Sequence, residues 1–254
     1  MAALDAPSAQ KPTRKTLWAV QDNGVEAQPF IFVLAGYGDA WVAQGLARAL
    51  GSEYTVYGIQ PPSEATARTA RELAAIYVEH LRAVQPQGPY CLGGYSAGAV
   101  MALEMAIQLR AQGEVVGVVT LLDPLFIRYT RFEHLSYYAL QGFCRVVEKV
   151  LPRKPRVLQI LNAMFEDEGL DIHLAALAGH KPDHYPGDIV FYQARWALGR
   201  TPLLVQQWKW FTKARLKVEK VPGDHHTFIR PPHVKELARR LRLELRKAGA
   251  SRSQ

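Results

Sequence analysis

A serine flanked by glycines, Gly94-Tyr95-Ser96-Ala97-Gly98, is the stretch of this chain with the clearest chemical content. It follows a short apolar run, Pro89-Tyr90-Cys91-Leu92, and precedes a strongly helical stretch over residues 100–110. A G-x-S-x-G pattern between strand and helix is the setting of a nucleophile elbow. The turn is sharp enough to force Ser96 into strained backbone angles, and side chains at positions 94 and 98 would collide with neighbouring backbone. The hydroxyl then stands at the carboxyl edge of a sheet, beside a helix N-terminus whose positive end can steady a developing oxyanion.

A serine hydroxyl at neutral pH is a poor nucleophile. It needs a base, and the base needs an acid to orient it. On a sheet with such an elbow the chain order is Ser, then Asp or Glu, then His, each just past a strand's carboxyl end. The acid has two possible seats. The later one falls near Ala194, Arg195 and Trp196, where there is no carboxylate; the earlier one holds Asp123, directly after Thr120-Leu121-Leu122. Asp188 opens its strand at the wrong end of the sheet. Of eight histidines, only His225, His226 and His233 follow the last strand, and His233 reads as the first turn of the final helix. The residues alone leave His225 and His226 both open. Asp224 beside them reads as a loop-forming Asx residue.

The elements that must carry these residues alternate. Phe30-Ile31-Phe32-Val33-Leu34 is a continuous apolar run, the mark of a strand buried on both faces. Residues 17–20 read as a short edge strand. Asp39 is placed to cap a helix running to Leu50, which Gly51 stops. Residues 54–59 form the next strand. Thr69-Ala70-Arg71-Glu72 reads as a capping box before a helix with Leu73, Ile76, Tyr77, Leu81 and Val84 on one face. The elbow strand and its helix follow, then a core strand over 115–122. Residues 30–124 thus predict a parallel, doubly wound α/β sheet. From 126 to about 185 the pattern is mostly helical, which reads as a lid over the active edge. Strands at 187–192 and 216–221 and a last helix over 233–247 complete a single domain spanning 15–250. Residues 1–14, rich in Ala, Pro, Ser and Lys, read as a flexible leader.

Composition excludes several classes. Two cysteines, Cys91 and Cys144, make no disulfide framework, and no apolar stretch reaches about 18 residues. With no signal-peptide core near Met1, a cytoplasmic protein is expected. The net charge is +8, from 31 Lys and Arg against 23 Asp and Glu. Basic residues gather in the tail at Arg239, Arg240, Arg242, Arg246, Lys247 and Arg252, without zinc spacing or another nucleic-acid motif. No nucleic acid and no membrane is expected as partner; an acidic protein is.

The span from about 28 to 245 resembles the thioesterase domains that end nonribosomal peptide synthetases, polyketide synthases and animal fatty acid synthases, which have the α/β-hydrolase fold. Four stretches carry the resemblance: Ala35-Gly36-Tyr37-Gly38; Gly94-Tyr95-Ser96-Ala97-Gly98 with Ala102-Leu103-Glu104 behind it; Leu121-Leu122-Asp123; and Val221-Pro222-Gly223-Asp224-His225. The Gly-Asp-His pattern of that family implies His225 as the base, and its acid likewise follows the strand after the elbow, at Asp123. Trp208 resembles a tryptophan that recurs before the last strand, where packing alone would also account for it. Where the family often has His-Pro, this chain reads Phe32-Val33-Leu34-Ala35. A backbone N–H needs no particular side chain, so the oxyanion hole is expected from Leu34, or else Ala35, together with Ala97.

The resemblance implies a substrate that arrives as a thioester on the phosphopantetheine arm of an acyl or peptidyl carrier protein, with no cofactor of the enzyme's own. The acyl chain passes to Ser96 and leaves by hydrolysis or cyclisation. Lid residues Arg128, Arg131, Arg145, Lys149, Arg153, Lys154 and Arg156 are candidate carrier contacts. A carrier-independent esterase, an acyltransferase and a non-catalytic binding module are the competing readings. Met1 with its own leader fits a free-standing protein or an isolated terminal domain.

Overall fold

In a computed structural model, residues 15–22, 24, 29–36, 39–62, 67–124, 139, 167–196 and 202–250 are described. Their apolar runs become seven strands: β1 (Leu17–Gln21), β2 (Phe30–Val33), β3 (Val56–Ile59), β4 (Tyr90–Tyr95), β5 (Val116–Leu122), β6 (Ile189–Ala194) and β7 (Leu216–Val221). They form one sheet in the order β1-β3-β2-β4-β5-β6-β7. All neighbours are parallel except β1, which pairs antiparallel with β3 at the edge. Every residue of β2, β4 and β6 is buried, as continuous apolar strands require. This is the α/β-hydrolase architecture expected from the sequence.

Among the described residues the named helices are α1 (Ala40–Leu50), α2 (Ala70–Val84), α3 (Ala97–Ala111), α4 (Glu168–Leu177) and α5 (Pro202–Lys209) between strands, and α6 (Val234–Ala250) after β7. α1 pairs with α6 and α2 with α3, and α3 and α6 both pack on β5. α3 is apolar nearly all round, so it is buried nearly all round. The capping box of α2 forms as written: the Glu72 N–H donates to the Thr69 hydroxyl at 3.2 Å, and the Glu72 carboxylate accepts from the Thr69 N–H at 3.2 Å. Trp208 is fully buried and packs on Phe191 and Phe211. Asp39 departs from expectation. It stands at the N-cap position of α1 without a side-chain capping bond.

Register aligns the working edge. Val33 lies beside Gly94, Tyr95 beside Leu122, Leu122 beside Tyr192, and Ala194 beside Val221. The residues just past β2, β4, β5 and β7 therefore emerge side by side. β7, the other edge, alternates Lys217, Glu219 and an exposed Lys220 with apolar residues. Lys217 pairs with Glu219 and Glu244, and Arg240 pairs with Glu219 and Glu236. Much of the basic tail is thus engaged within the fold: Arg242 donates to the Ala49 and Leu50 carbonyls at the end of α1, and Arg246 to the Tyr54 hydroxyl. The expected leader, Cys144, Arg252, most of the expected lid and its seven basic residues lie outside the described residues. α4 belongs to that region and packs on α2 and α3. No helix among the described residues is long and apolar enough to cross a membrane.

Candidate active site

Between β4 and α3 the chain turns through a single residue. Ser96 has φ 54° and ψ −117°, a conformation L-residues rarely adopt, and its N–H is tied to the Leu122 carbonyl at 3.0 Å. The two flanking glycines allow the turn. A Cβ on Gly94 would meet the Gly98 carbonyl, and one on Gly98 would meet the carbonyls of Val33 and Leu34. The second contact does more than permit a turn, because it brings the end of β2 against the first turn of α3.

Two other strand ends complete a hydrogen-bonded chain. Asp123, fully buried, follows β5 with φ 42°. Its N–H donates to the Tyr192 carbonyl at 2.8 Å, and its Oδ1 accepts from the Ala194 N–H at 3.3 Å. Its Oδ2 accepts from His225 Nδ1 at 2.5 Å. A carboxylate can only accept, so the imidazole proton sits on Nδ1 and Nε2 is left bare. That bare nitrogen lies 3.1 Å from Ser96 Oγ and accepts the hydroxyl proton. An imidazole so held can take a proton from the serine and pass it on.

The loop that carries His225 explains why it, and not its neighbour, faces the serine. Asp224 accepts from the N–H groups of both His226 and Thr227 at 2.9 Å, closing an Asx turn. His226 is displaced outward, its ring edge-on to that of His225. Tyr95, the residue before the serine, stacks on His225 with ring centroids 5.0 Å apart. Its hydroxyl donates to the His225 carbonyl at 2.9 Å. Sequence reasoning gave Tyr95 no role; an aromatic directly before the serine was the available signal. His233 lies edge-on to Trp196, away from this chain of bonds.

The expected oxyanion donors fare differently. Ala97 is the first residue of α3, where a backbone N–H has no partner within the helix. Leu34 is corrected: its N–H donates to the Ile59 carbonyl at 3.0 Å and belongs to the sheet. Successive N–H groups along a strand point to opposite sides. Phe30 and Leu34 donate toward β3 on that alternation; Ala35 lies beyond the last residue of β2, and its N–H hydrogen-bonds to the Asp39 carboxyl. Of the two alternatives, Leu34 is engaged within the sheet, which leaves Ala35 as the candidate.

Asp39 lies against this loop. Its carboxyl is pushed up to about 6, first by burial and then by the charge of Asp167. Backbone hydrogen bonds from Gly36 and Ala35, and the charge of Arg230, offset this only in part. An unfolded aspartate titrates near 3.8, so between these values the folded chain binds more protons, and stability falls as pH rises through about 6. Asp39→Asn is expected to gain stability relative to wild type above pH 6, on the order of 1–3 kcal/mol, and to lose that gain below about pH 4. Chemical denaturation at pH 4 and pH 7.5 reads it.

The thioesterase domain family profile matches residues 30–244. The chain belongs to the thioesterase domain family. Among its relatives, this thioesterase domain is 27% identical over 289 residues to chondramide synthase cmdD of Chondromyces crocatus, an alignment covering 98% of this chain and 7% of that protein. It is 26% identical over 247 residues to a dimodular nonribosomal peptide synthase of Bacillus subtilis (strain 168), covering 85% and 10%. The chain thus spans a tenth or less of the length of these relatives. Among solved structures, the NocB thioesterase domain in covalent complex with a fluorophosphonate nocardicin G analogue superposes with a TM-score of 0.67 at 26% identity, over 90% of this chain and 99% of that one. The type II thioesterase BorB from the borrelidin cluster shares the fold, with a TM-score of 0.68 at 18% identity, over 90% and 97%.

Proposed function

We propose that this thioesterase domain releases an acyl or peptidyl chain from a carrier-protein phosphopantetheine thioester through an acyl-Ser96 ester. The observation that carries the reading is the His225 imidazole, bonded at once to Asp123 and to the elbow serine. His225 takes the Ser96 proton as Oγ attacks the thioester carbonyl. The oxyanion is held by the N–H groups of Ala97 and Ala35, the acyl oxygen displacing the Asp39 carboxyl from in front of Ala35. One such donor is worth about 2.7–4 kcal/mol in the transition state. His225 then protonates the departing thiolate, so the pantetheine leaves as a free thiol. Water, or a hydroxyl or amine of the acyl chain, resolves the ester with His225 again as base.

Several features support a carrier protein as partner. The chain carries a net charge of +8, and carrier proteins are usually acidic, so docking would be steered electrostatically. Arg230, exposed just past the His225 loop, lies 4.2 Å over the ring of Trp41 at the start of α1. Both stand at the carboxyl edge of the sheet.

The experiment is intact mass and thiol release after mixing the protein with a short acyl-pantetheine thioester. An acyl adduct with stoichiometric thiol, or catalytic thiol release, is expected. If neither occurs while soluble esters of the same acyl group are cleaved, the thioester reading is replaced by that of an esterase. If neither substrate reacts, the catalytic reading fails.

A further inference from the structure

α4 returns the chain to the sheet after residues 125–166, and it touches the loop past β2 at two points. The carboxylate of Asp167, the N-cap of α4, lies against Gly36. One turn and a half further on, the fully buried ring of His173 reaches the Ala35 carbonyl, with Nδ1 at 2.8 Å from the oxygen. Its Nε2 lies 2.7 Å from the hydroxyl of Tyr77, also fully buried, on α2. A carbonyl oxygen can only accept, so the ring proton is on Nδ1 and the Tyr77 O–H donates to Nε2. Burial holds the ring's pKa down at about 4, so this tautomer persists throughout the neutral range. The directional chain is Tyr77 O–H to His173, and His173 N–H to the Ala35 carbonyl.

That carbonyl belongs to the residue proposed above as the second oxyanion donor. The Ala35 oxygen lies in the peptide plane that Ala35 shares with Gly36, so pinning it sets the ψ angle of Ala35; with the Leu34 N–H locked to Ile59, the Leu34–Ala35 peptide that carries the Ala35 N–H is anchored on both sides. Oxyanion donors act through such preorganisation: an amide off the line of the developing charge by an ångström forfeits most of its effect. Nothing else in the proposed mechanism uses His173, and a buried imidazole bridging two helices' distance into a loop needs a reason. The geometry points to His173, backed by Tyr77, as a positioning residue for the Ala35 oxyanion donor, coupling α4 to the acyl-transfer step. This rests on the acyl-Ser96 reading above.

The test compares wild type with His173→Leu, His173→Asn and Tyr77→Phe at pH 7.5. kcat and KM are read for acyl-pantetheine hydrolysis, together with the rate of Ser96 phosphonylation by a small alkyl fluorophosphonate. Circular dichroism at the assay temperature restricts the comparison to folded protein. His173→Leu is expected to lower kcat about 30- to 100-fold with KM within twofold, and to slow phosphonylation by a similar factor, since both need the oxyanion donors. His173→Asn, whose amide can still donate from the Nδ1 position, is expected to recover most of kcat. Tyr77→Phe is expected to cost a few-fold. A folded His173→Leu with unchanged kcat overturns the inference, as does a loss confined to KM or one that Asn fails to rescue. If wild type itself releases no thiol and takes no phosphonate, the acyl-Ser96 reading fails, and the inference fails with it; a reactive wild type with an equally reactive His173→Leu sinks the inference alone.

Discussion

Thiol release from an acyl-pantetheine thioester is expected to fall about 10⁶-fold in Ser96→Ala, with no acyl adduct by intact mass. Removing Oγ deletes the atom that attacks, while the elbow's backbone, tied through the Ser96 N–H to Leu122, needs no hydroxyl to keep its shape. The melting temperature should therefore stay close to that of wild type, because alanine tolerates the turn about as well as serine does. His225→Ala is expected to cost a loss of the same order, and the double variant no more than either single one, since nucleophile and base act as a unit. His226→Ala, with its ring turned away from Ser96, should remain within a few-fold of wild type. A large loss in His226→Ala with His225→Ala nearly active would reassign the base. Wild-type rates in all three would remove the serine from the mechanism.

Asp123→Asn is expected to lower kcat about 10⁴-fold at neutral pH without loss of fold. The reason is the tautomer. An asparagine can keep its oxygen on the Ala194 N–H, and its amide nitrogen then faces His225 Nδ1. That nitrogen donates, so Nδ1 must accept and the imidazole proton moves to Nε2. The face of His225 turned to Ser96 then carries a hydrogen and can no longer take the serine proton. Because Asp123 is fully buried, urea denaturation of the variant has to accompany the kinetics, and a stable variant with less than tenfold loss would show that the carboxylate does not orient the base. Rising activity at alkaline pH, where hydroxide can substitute for the base, would fit the proposed role.

Much of this arrangement was legible in the chain because it is local. The strands buried on both faces are written as unbroken apolar runs, and the elbow is written in five residues whose glycines have backbone for neighbours. The acid could be placed because only one strand end offered a carboxylate. Other parts depend on contacts that sequence does not display. The choice between Leu34 and Ala35 is a matter of one residue of register against β3, and a shift of one reverses the direction of the N–H. The choice between His225 and His226 rests on the Asp224 turn and on Tyr95, which lies 130 residues away along the chain. Asp39 looked like a helix cap, but its carboxyl turns back to the Ala35–Gly36 backbone. The reach of His173 to Ala35 spans 138 residues and leaves no local trace.

The charges on β7 bear on how the molecule behaves in a crowd. A strand at the end of a sheet offers unpaired backbone groups to any copy that approaches, and a fully apolar one invites continuation of the sheet from molecule to molecule. Leu216–Val221 places lysine, glutamate and lysine along that border, so a second edge would have to strip water from ions before it could pair. β7 is thus an edge made costly to extend, because its ions would have to be dehydrated before another strand could pair with it.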